Sequence, residues 1–267
     1  MIKNRGKDRE INRKYVNILG INVLSTTKDG VLTAIEEKVS SSIKFSILTP
    51  NPELVLASTS NPLLKEALNS ADFAIPDGVG LNYASEFISG ETLNIIPGRK
   101  LFLDLINLAS KNKWRVFLLG GLNNEVGLAI KNLISLYPNI SISSDKGMNL
   151  NEKGEPDTKV DIKLHSDVIK KINNFKPHLL FVAFGNPKQE IWIHNNLSKL
   201  NVNGVMAVGG TFRYIAGVSA LPPKWMERTG LEWLWRLVTE PVRLKRIINA
   251  VIVFPWKVFV FKLNRKN

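Results

Sequence analysis

The sequence predicts an α/β fold with Rossmann-like topology: a mainly parallel sheet with helices on both faces, followed by a C-terminal helical appendage. Short runs rich in β-branched residues alternate with longer amphipathic stretches along most of the chain. Such alternation favours a parallel sheet, because parallel neighbours need crossover connections and right-handed crossovers are strongly preferred. No internal repeat interrupts the pattern. After residue 221 the composition changes to a segment rich in Trp and Arg with no further strand.

Seven runs are predicted as strands from their β-branched and aromatic residues and from the turn signals that bound them. In chain order they are Val16–Leu24, Lys44–Leu48, Asp72–Ile75, Arg115–Leu119, Ile140–Ser144, Leu179–Phe184 and Gly204–Val208. Amphipathic stretches predict helices near residues 31–41, 52–69, 79–88, 99–112, 123–136, 160–174 and 187–198. The Asn-, Gly- and Pro-rich segment Asn149–Asp161 is predicted to be a surface loop.

The composition is that of a chain that buries a core. Of its 267 residues, 44% are hydrophobic and 22% are charged, which excludes general disorder. The chain has no cysteine, so disulfides and zinc–thiolate clusters are excluded, and its three histidines lack metal-ligand spacing. We therefore expect neither a metal site nor a cofactor.

The net charge of +13 is concentrated at the two ends of the chain. Residues 1–15 carry +4 and residues 224–267 carry +7, whereas residues 16–223 carry only +2. Basic ends on a nearly neutral body predict an anionic partner that binds to the terminal segments. The sequence contains no nucleic-acid-binding motif, so we do not expect that partner to be a nucleic acid. The predicted organisation is a flexible basic N-terminus over 1–15, an α/β domain over 16–221 and a helical appendage over 222–267.

The N-terminus lacks the apolar stretch of a signal peptide. No run reaches the roughly 20 apolar residues that span a bilayer, and the nearest, Ile247–Leu263, contains Pro255 and Lys257. Its wide apolar face with basic edges fits a helix lying in the plane of a membrane. A helix buried between two subunits is the alternative, so a homo-oligomer is possible. Four tryptophans, Trp225, Trp233, Trp235 and Trp256, fit either core packing or a membrane-interface belt.

The candidate site lies after the predicted strands, since ligands of open parallel sheets bind at the carboxyl ends of the strands. Two glycine turns there, Gly120-Gly121 and Gly209-Gly210-Thr211, precede helices and are suited either to a phosphate or simply to a tight turn. Thr49 and Asn51 follow the second predicted strand.

Acidic and amide side chains follow two other strands. Asp77, in "IPDGVG", is either a turn residue or a carboxylate base that faces the cleft. Gln189 and Glu190 stand side by side in the first turn of a helix, where neighbours diverge by about 100°, so one of them is expected to face a ligand. The pattern leaves open which one.

Three arginines of the appendage, Arg236, Arg243 and Arg246, are spaced to share one helical face if Glu240-Pro241 keeps the register. Guanidinium groups on one face are suited to clamping a pyrophosphate. The alternative is a solvated face partly paired with Glu232 and Glu240.

The motifs named above, in this order, resemble the WecG/TagA/CpsF family of bacterial glycosyltransferases. The matching segments run from about Thr49 to Arg246. They are "TPNPELVLAS", "AIPDGVGL", "VFLLGG", "FVAFGNPKQEIWI", "AVGGTFRYIAG" and "PPKWMERTGLEWLWRLVTEPVRLKR". The resemblance implies inverting, metal-independent transfer of a sugar such as N-acetylmannosamine from a UDP-sugar to a polyprenyl-pyrophosphate-linked sugar, at the inner face of the cell membrane, in teichoic acid or exopolysaccharide synthesis.

Residue by residue, the resemblance implies that Asp77 is the catalytic base and that Thr49 is an active-site threonine. It matches Gln189 to a family site residue and the three appendage arginines to basic positions that complete the site. The chain departs from the family pattern at four positions around the expected donor region: Asn94, Lys100, Arg213 and Ala220.

Two functional hypotheses follow. The first is a UDP-sugar transferase that acts on a lipid-linked acceptor at an anionic membrane surface. The alternative is a non-catalytic, membrane-docked partner of the same fold, in which Lys100 and Arg213 have remodelled the donor site.

Overall fold

A computed structural model of the chain describes residues 14–122, 124–240 and 244–264. Within this part, six strands form one parallel sheet in the order β4-β3-β8-β7-β5-β6. An antiparallel pair, β1 and β2, lies outside that sheet. The strands are β1 (Lys14–Ile18), β2 (Ile21–Ser25), β3 (Phe45–Leu48), β4 (Phe73–Ala74), β5 (Arg115–Gly120), β6 (Ser141–Asp145), β7 (Leu179–Ala183) and β8 (Gly204–Ala207). The predicted α/β class is confirmed.

Helices connect the strands and cover both faces of the sheet. The first nine are α1 (Lys28–Ser40), α2 (Pro52–Ser58), α3 (Pro62–Ser70), α4 (Val79–Ser89), α5 (Gly98–Lys111), α6 (Glu125–Leu136), α7 (Lys159–Phe175), α8 (Lys188–Asn196) and α9 (Thr211–Ile215). The C-terminal helices are α10 (Lys224–Thr229), α11 (Glu232–Thr239), α12 (Leu244–Ile248) and α13 (Phe254–Asn264), with a π-helical segment, Asn249–Val253, between the last two.

The sheet is buried on both faces, as parallel sheets with crossover helices require. In β5, Val116 and Leu118 pack into one apolar cluster while Phe117 and Leu119 pack into the other. This explains why the central strands are almost uniformly apolar rather than alternating. Strand pairing is also close: a Cβ on Gly204 would lie 2.3 Å from the Phe45 ring, so β8 requires glycine there.

The prediction of one strand over Val16–Leu24 is wrong. This segment is a hairpin in which Ile18 pairs with Ile21 around Leu19 and Gly20. Both central residues have positive φ, 51° and 86°, as a two-residue hairpin turn requires. The hairpin packs against α3 and α4 rather than joining the main sheet. A run of apolar residues does not reveal where it pairs, because pairing depends on contacts distant in sequence.

Two successive helices begin in the same way. Asn51 and Asn61 each accept a hydrogen bond at Oδ1 from the backbone N–H three residues later, and each precedes a proline at the first helical position. Asn caps and Pro at this position both stabilise helix starts. The repeated Asn-Pro dipeptides therefore set the starts of α2 and α3 locally.

The C-terminal helix has a buried side and an exposed side. Phe254 and Val258 are 1% and 3% exposed and lie in the apolar cluster that contains Leu54 and Leu81. Among the described residues, Leu244–Asn264 is long and apolar enough to cross a membrane by length and composition. This criterion differs from a count of unbroken apolar runs, because a mean hydropathy over 18 residues tolerates Lys257. The domain boundary near residue 222 stays a prediction.

Candidate active site

A polar cavity of about 180 Å³ opens at the carboxyl ends of four neighbouring strands, β4, β3, β8 and β7. The loops and helix starts after these strands, together with α12, bring together nine of the predicted site residues. They are Thr49, Asn51, Asp77, Gln189, Glu190, Gly209, Gly210, Thr211 and Arg246. The predicted residues at these strand ends thus line one cavity, whereas their ligand-binding and catalytic roles stay predictions.

Asp77 and Thr49 meet at one wall of the cavity. The backbone N–H of Asp77 donates to Pro50 O at 2.8 Å, and the backbone N–H of Gly98, at the start of α5, donates to Asp77 Oδ2 at 3.3 Å. A Cβ on Gly98 would lie 3.1 Å from Thr49 Oγ1 and 3.5 Å from Asp77 Oδ2. Glycine at this position therefore lets the N-terminus of α5 approach the carboxylate closely, and its positive dipole end orients and stabilises negative charge there.

Two other predicted residues of the cavity wall form hydrogen bonds with the backbone. Asn51 uses its Oδ1 to cap α2, and the Thr211 hydroxyl donates to Val208 O at 2.6 Å. A Cβ on Gly210 would meet nothing within 4 Å, so the cavity is open beside it.

Gln189 ties two of the site loops together. Its Nε2 donates to Asn186 Oδ1 and to Glu190 Oε1, both at 2.7 Å, and its Oε1 accepts from the Gly209 N–H at 3.1 Å. Both amide protons are therefore used within the protein. Gln189 holds the loop after β7 against the loop after β8, and one acceptor lone pair remains for a ligand.

Glu190 is a buried carboxyl group at the same wall. It is 1% exposed, and burial raises its pKa to about 7, helped by the negative charge of Glu53 and opposed by the Gln189 hydrogen bond and by Arg246. Its Oε2 has no hydrogen-bond partner among the described residues. Gln189 and Glu190 thus both line the cavity, and which of them faces a ligand stays open.

Arg246 brings the C-terminal helices to the cavity. It forms an ion pair with Glu53 of α2, which also lines the cavity. The side chain of Arg236 and the whole of Arg243 lie outside the described residues, so the predicted cluster of three arginines is represented here by Arg246.

Two cavity residues that sequence reasoning missed are Arg99 and Glu53. Arg99 pairs with Glu227 of α10, and its guanidinium lies 5.8 Å from the centre of the Tyr214 ring. It stands in the first turn of α5, directly after Gly98. Because α5 follows helix α4 and not a strand, a search of the residues that follow each strand does not reach Arg99.

The departures at Lys100 and Arg213 are accommodated by acidic partners. Lys100 Nζ lies 3.2 Å from Glu227 Oε2, and Arg213 Nε lies 3.2 Å from Glu125 Oε1. Arg213 also approaches Glu240 at 3.9 Å and lines the cavity. The changed charges are thus balanced inside the protein.

The turn Gly120-Gly121 does not line this cavity, because its strand, β5, lies beyond β7 in the sheet. The Gly121 N–H donates to Ala183 O at 3.0 Å, and the Leu122 N–H donates to Glu125 Oε2 at 2.9 Å. A Cβ on Gly120 would lie 2.7 Å from Ala183 O. These contacts fit the tight-turn interpretation, and a ligand-binding role of the two glycines stays a prediction.

No group of three or more His, Cys, Asp or Glu side chains suited to a metal ion occurs among the residues that the structure describes. Two carboxylates of the cavity wall are paired with guanidinium groups, Glu53 with Arg246 and Glu240 with Arg213. The arrangement combines a carboxylate held at a helix N-terminus with cationic side chains on other elements.

The fold and the cavity place a carboxylate and arginines at the carboxyl edge of a parallel sheet, which is where α/β enzymes bind their substrates. The chain belongs to the glycosyl transferase WecG/TagA/CpsF family, whose profile matches residues 16–267. It is a glycosyltransferase.

Similar proteins include the N-acetylglucosaminyldiphosphoundecaprenol N-acetyl-β-D-mannosaminyltransferase of Staphylococcus aureus strain NCTC 8325. That protein is 30% identical over 249 residues, which cover 92% of this chain and 93% of the relative. The corresponding protein of strain MRSA252 is 30% identical over 250 residues, with the same coverage.

Proposed function

We propose that the chain is an inverting glycosyltransferase that moves N-acetylmannosamine or a related hexose from a UDP-sugar to a polyprenyl-pyrophosphate-linked sugar in bacterial cell-surface polysaccharide synthesis. The names of the Staphylococcus aureus relatives support the acceptor class and the transferred sugar. The observation that carries the proposal is the position of Asp77 at the wall of a cavity that is also lined by Arg99 of α5 and Arg246 of α12.

In the proposed reaction, the Asp77 carboxylate removes the proton from an acceptor hydroxyl group. That oxygen attacks the anomeric carbon of the donor from the side opposite the diphosphate, and the bond between the sugar and the diphosphate breaks with its electron pair. A single displacement of this kind inverts the anomeric configuration. General-base removal of the proton contributes about 10²–10⁴-fold in rate.

The departing UDP carries developing negative charge that the site must stabilise. Arg99 and Arg246 line the cavity and are already desolvated in part by their pairing with Glu227 and Glu53. Preorganised cationic groups stabilise charge that develops in a transition state, since they need no reorganisation as the bond breaks. We assign the diphosphate to the arginines and the acceptor hydroxyl to Asp77.

We further propose that the protein works at the inner face of the cell membrane as a peripheral protein. A polyprenyl acceptor is membrane-bound, residues 224–267 carry +7, and the helix Leu244–Asn264 exposes apolar side chains. Each Lys or Arg near an anionic surface contributes about 1 kcal/mol of binding free energy. Several such residues together are enough to hold a protein at the membrane.

The test is transfer from a panel of UDP-sugars to a polyprenyl-pyrophosphate-linked acceptor, with the anomeric configuration of the product determined by NMR. We expect one donor to give product of inverted configuration. Retention of configuration would contradict the single displacement.

The same panel separates the alternative, a membrane-docked partner without catalysis. That alternative requires that no donor be transferred and that no UDP-sugar bind in a calorimetric titration. The ion pairs of Lys100 and Arg213 favour an intact cavity instead, because the replaced charges do not project unpaired into it.

A further inference from the structure

Helix α4 of the catalytic domain carries an exposed apolar row. Val79, Tyr83 and Phe87 stand at i, i+4 and i+8, and are 36%, 65% and 42% exposed. The opposite side of the helix, with Leu81 and Ala84, is buried in the core. A surface helix of a soluble protein normally turns polar residues outward, so an exposed apolar row on a helix whose other side is buried indicates a second apolar environment.

The row continues onto the C-terminal helices. The Phe87 ring stacks on Phe259 of α13 with 6.3 Å between centres, and Phe259 stacks on Trp256 at 5.9 Å. Trp256 is 63% exposed. At the other end of the row, a Cβ on Gly230 would lie 2.8 Å from Val79, so the appendage touches α4 at both ends.

Basic side chains border these aromatic rings. Lys262 Nζ lies 4.1 Å from the centre of the Phe87 ring and also donates to the Phe87 carbonyl. Lys257 is exposed on the same helix. Aromatic rings that stand at the surface beside lysines are typical of a protein face that enters the headgroup region of an anionic bilayer. A second protein subunit offers no equivalent explanation for the excess of positive charge in residues 224–267.

We propose that the aromatic face formed by Tyr83, Phe87, Trp256 and Phe259 lies against an anionic bilayer, so that α4 of the catalytic domain is part of the membrane contact. This inference rests on the proposed function, which supplies the membrane. Helix α4 begins two residues after Asp77, and its row from Val79 to Phe87 extends about 12 Å. The contact therefore brings the Asp77 edge of the cavity to the bilayer surface, where a lipid-linked pyrophosphate is held.

The absence of cysteine permits a direct test by labelling in the full chain. We would attach an environment-sensitive fluorophore at Tyr83→Cys and add vesicles of phosphatidylglycerol and phosphatidylcholine in equal parts. The emission should shift to the blue. The same label at Leu136→Cys, which is 69% exposed on α6, is the control and should not shift. An unshifted label at residue 83 on chains that have bound the vesicles would overturn the proposal.

A second measurement removes the apolar side chains. The double variant Tyr83→Ser, Phe87→Ser should partition to these vesicles at least tenfold more weakly in sedimentation. The control Leu128→Ser, Leu136→Ser has nearly matched exposures, 39% and 69%, on another helix and should partition as the parent does. Equal partitioning of both double variants contradicts the proposal. So does a parent that is dimeric without vesicles and becomes monomeric on the Tyr83 and Phe87 changes, because the face would then be a subunit interface.

Activity assays separate this inference from the proposed function. Transfer to a short-chain, water-soluble acceptor should be the same for the parent and the Tyr83→Ser, Phe87→Ser variant, whereas transfer to the full-length acceptor in vesicles should fall with binding. A parent that transfers no sugar to either acceptor contradicts the proposed function, while the fluorescence shift still decides whether α4 meets the bilayer. Equal loss on both acceptors contradicts the membrane role of these side chains.

Discussion

Asp77 owes its position to residues distant from it in sequence: Pro50 O receives its N–H, and the Gly98 N–H meets its carboxylate. Asp77→Asn keeps the shape of the side chain but removes the base, so kcat should fall about 10²–10⁴-fold. The assay is transfer to the lipid-linked acceptor, with Asp167→Asn as control. Asp167 is 57% exposed on α7, and its change should leave kcat unaltered. Full turnover by Asp77→Asn would refute the assignment of the base.

Glu190 predicts a pH dependence of stability. Its pKa is raised to about 7 by burial, whereas an ordinary Glu has a pKa of 4.5. Between these values the folded protein holds a proton that the unfolded chain has lost. The free energy of unfolding therefore falls as pH rises from about 4.5 to 7, by about 3 kcal/mol for this group. Above that pH range the contribution of Glu190 is constant.

The measurement is urea unfolding of the parent and of Glu190→Gln at pH 5 and pH 8. The variant lacks this titration, so the parent should lose more stability than the variant between the two pH values. A stability difference between the two proteins that is identical at both pH values would show that Glu190 titrates normally.

Helix α10 is held to α5 by one carboxylate that meets two cations, Arg99 and Lys100. Burial alone would raise the pKa of Glu227, but the hydrogen bonds from Lys100 and Arg99 outweigh it and lower the pKa. The stabilisation is therefore present above about pH 4.5 and is lost as pH falls through the lower folded-state value.

Glu227→Gln should destabilise the protein by about 1–2 kcal/mol at neutral pH, since it weakens charge-assisted hydrogen bonds. Thermal unfolding should show the difference from the parent shrinking in acid. Transfer activity should also fall, because Arg99 lines the cavity and loses its anchor. The control is Glu152→Gln. Glu152 pairs with Lys188, but its side chain is 78% exposed, so we expect little effect on stability. A melting difference that persists unchanged in acid would argue against the ion pairs.

The helices and strands show how much of the secondary structure local sequence patterns determine. The Asn-Pro dipeptides predict the starts of α2 and α3 because a cap and a proline act within one helical turn. The hairpin of β1 and β2 was missed, although Leu19-Gly20 interrupts the run, because periodicity does not reveal whether two halves of an apolar run pair with each other. Arg99 was missed for a similar reason, since only the packing of α5 against β3 and β4 loops brings it to the cavity.

At the level of the whole molecule, the C-terminal helix belongs to the core as well as to the surface. Phe254 is 1% exposed, whereas Phe259, five residues later, is 44% exposed. Phe254→Ala should cost about 3–5 kcal/mol, because it leaves a cavity in the core. Phe259→Ala should cost about 1 kcal/mol through its lost stacking on Phe87 and Trp256.

Urea unfolding measures both changes, and vesicle sedimentation gives the complementary readout. Phe259→Ala should bind anionic vesicles more weakly while remaining folded. Phe254→Ala, measured at a temperature where it is folded, should bind as the parent does. The opposite result, in which Phe254→Ala weakens vesicle binding and Phe259→Ala does not, would contradict the assignment of Phe254 to the core and Phe259 to the membrane face.

The α/β class, the order of most elements and the residues that end the strands follow from local patterns, because side-chain periodicity, caps and turns act over a few neighbouring residues. Which of those strand ends share a cavity depended on the strand order, which places β3, β4, β7 and β8 together and β5 with Gly120-Gly121 apart. The burial of Glu190 and the pairing of Arg246 with Glu53 depend on how the helices pack. These are contacts between distant segments, and only the packed structure decides them, since the energy of such contacts is realised when the segments meet.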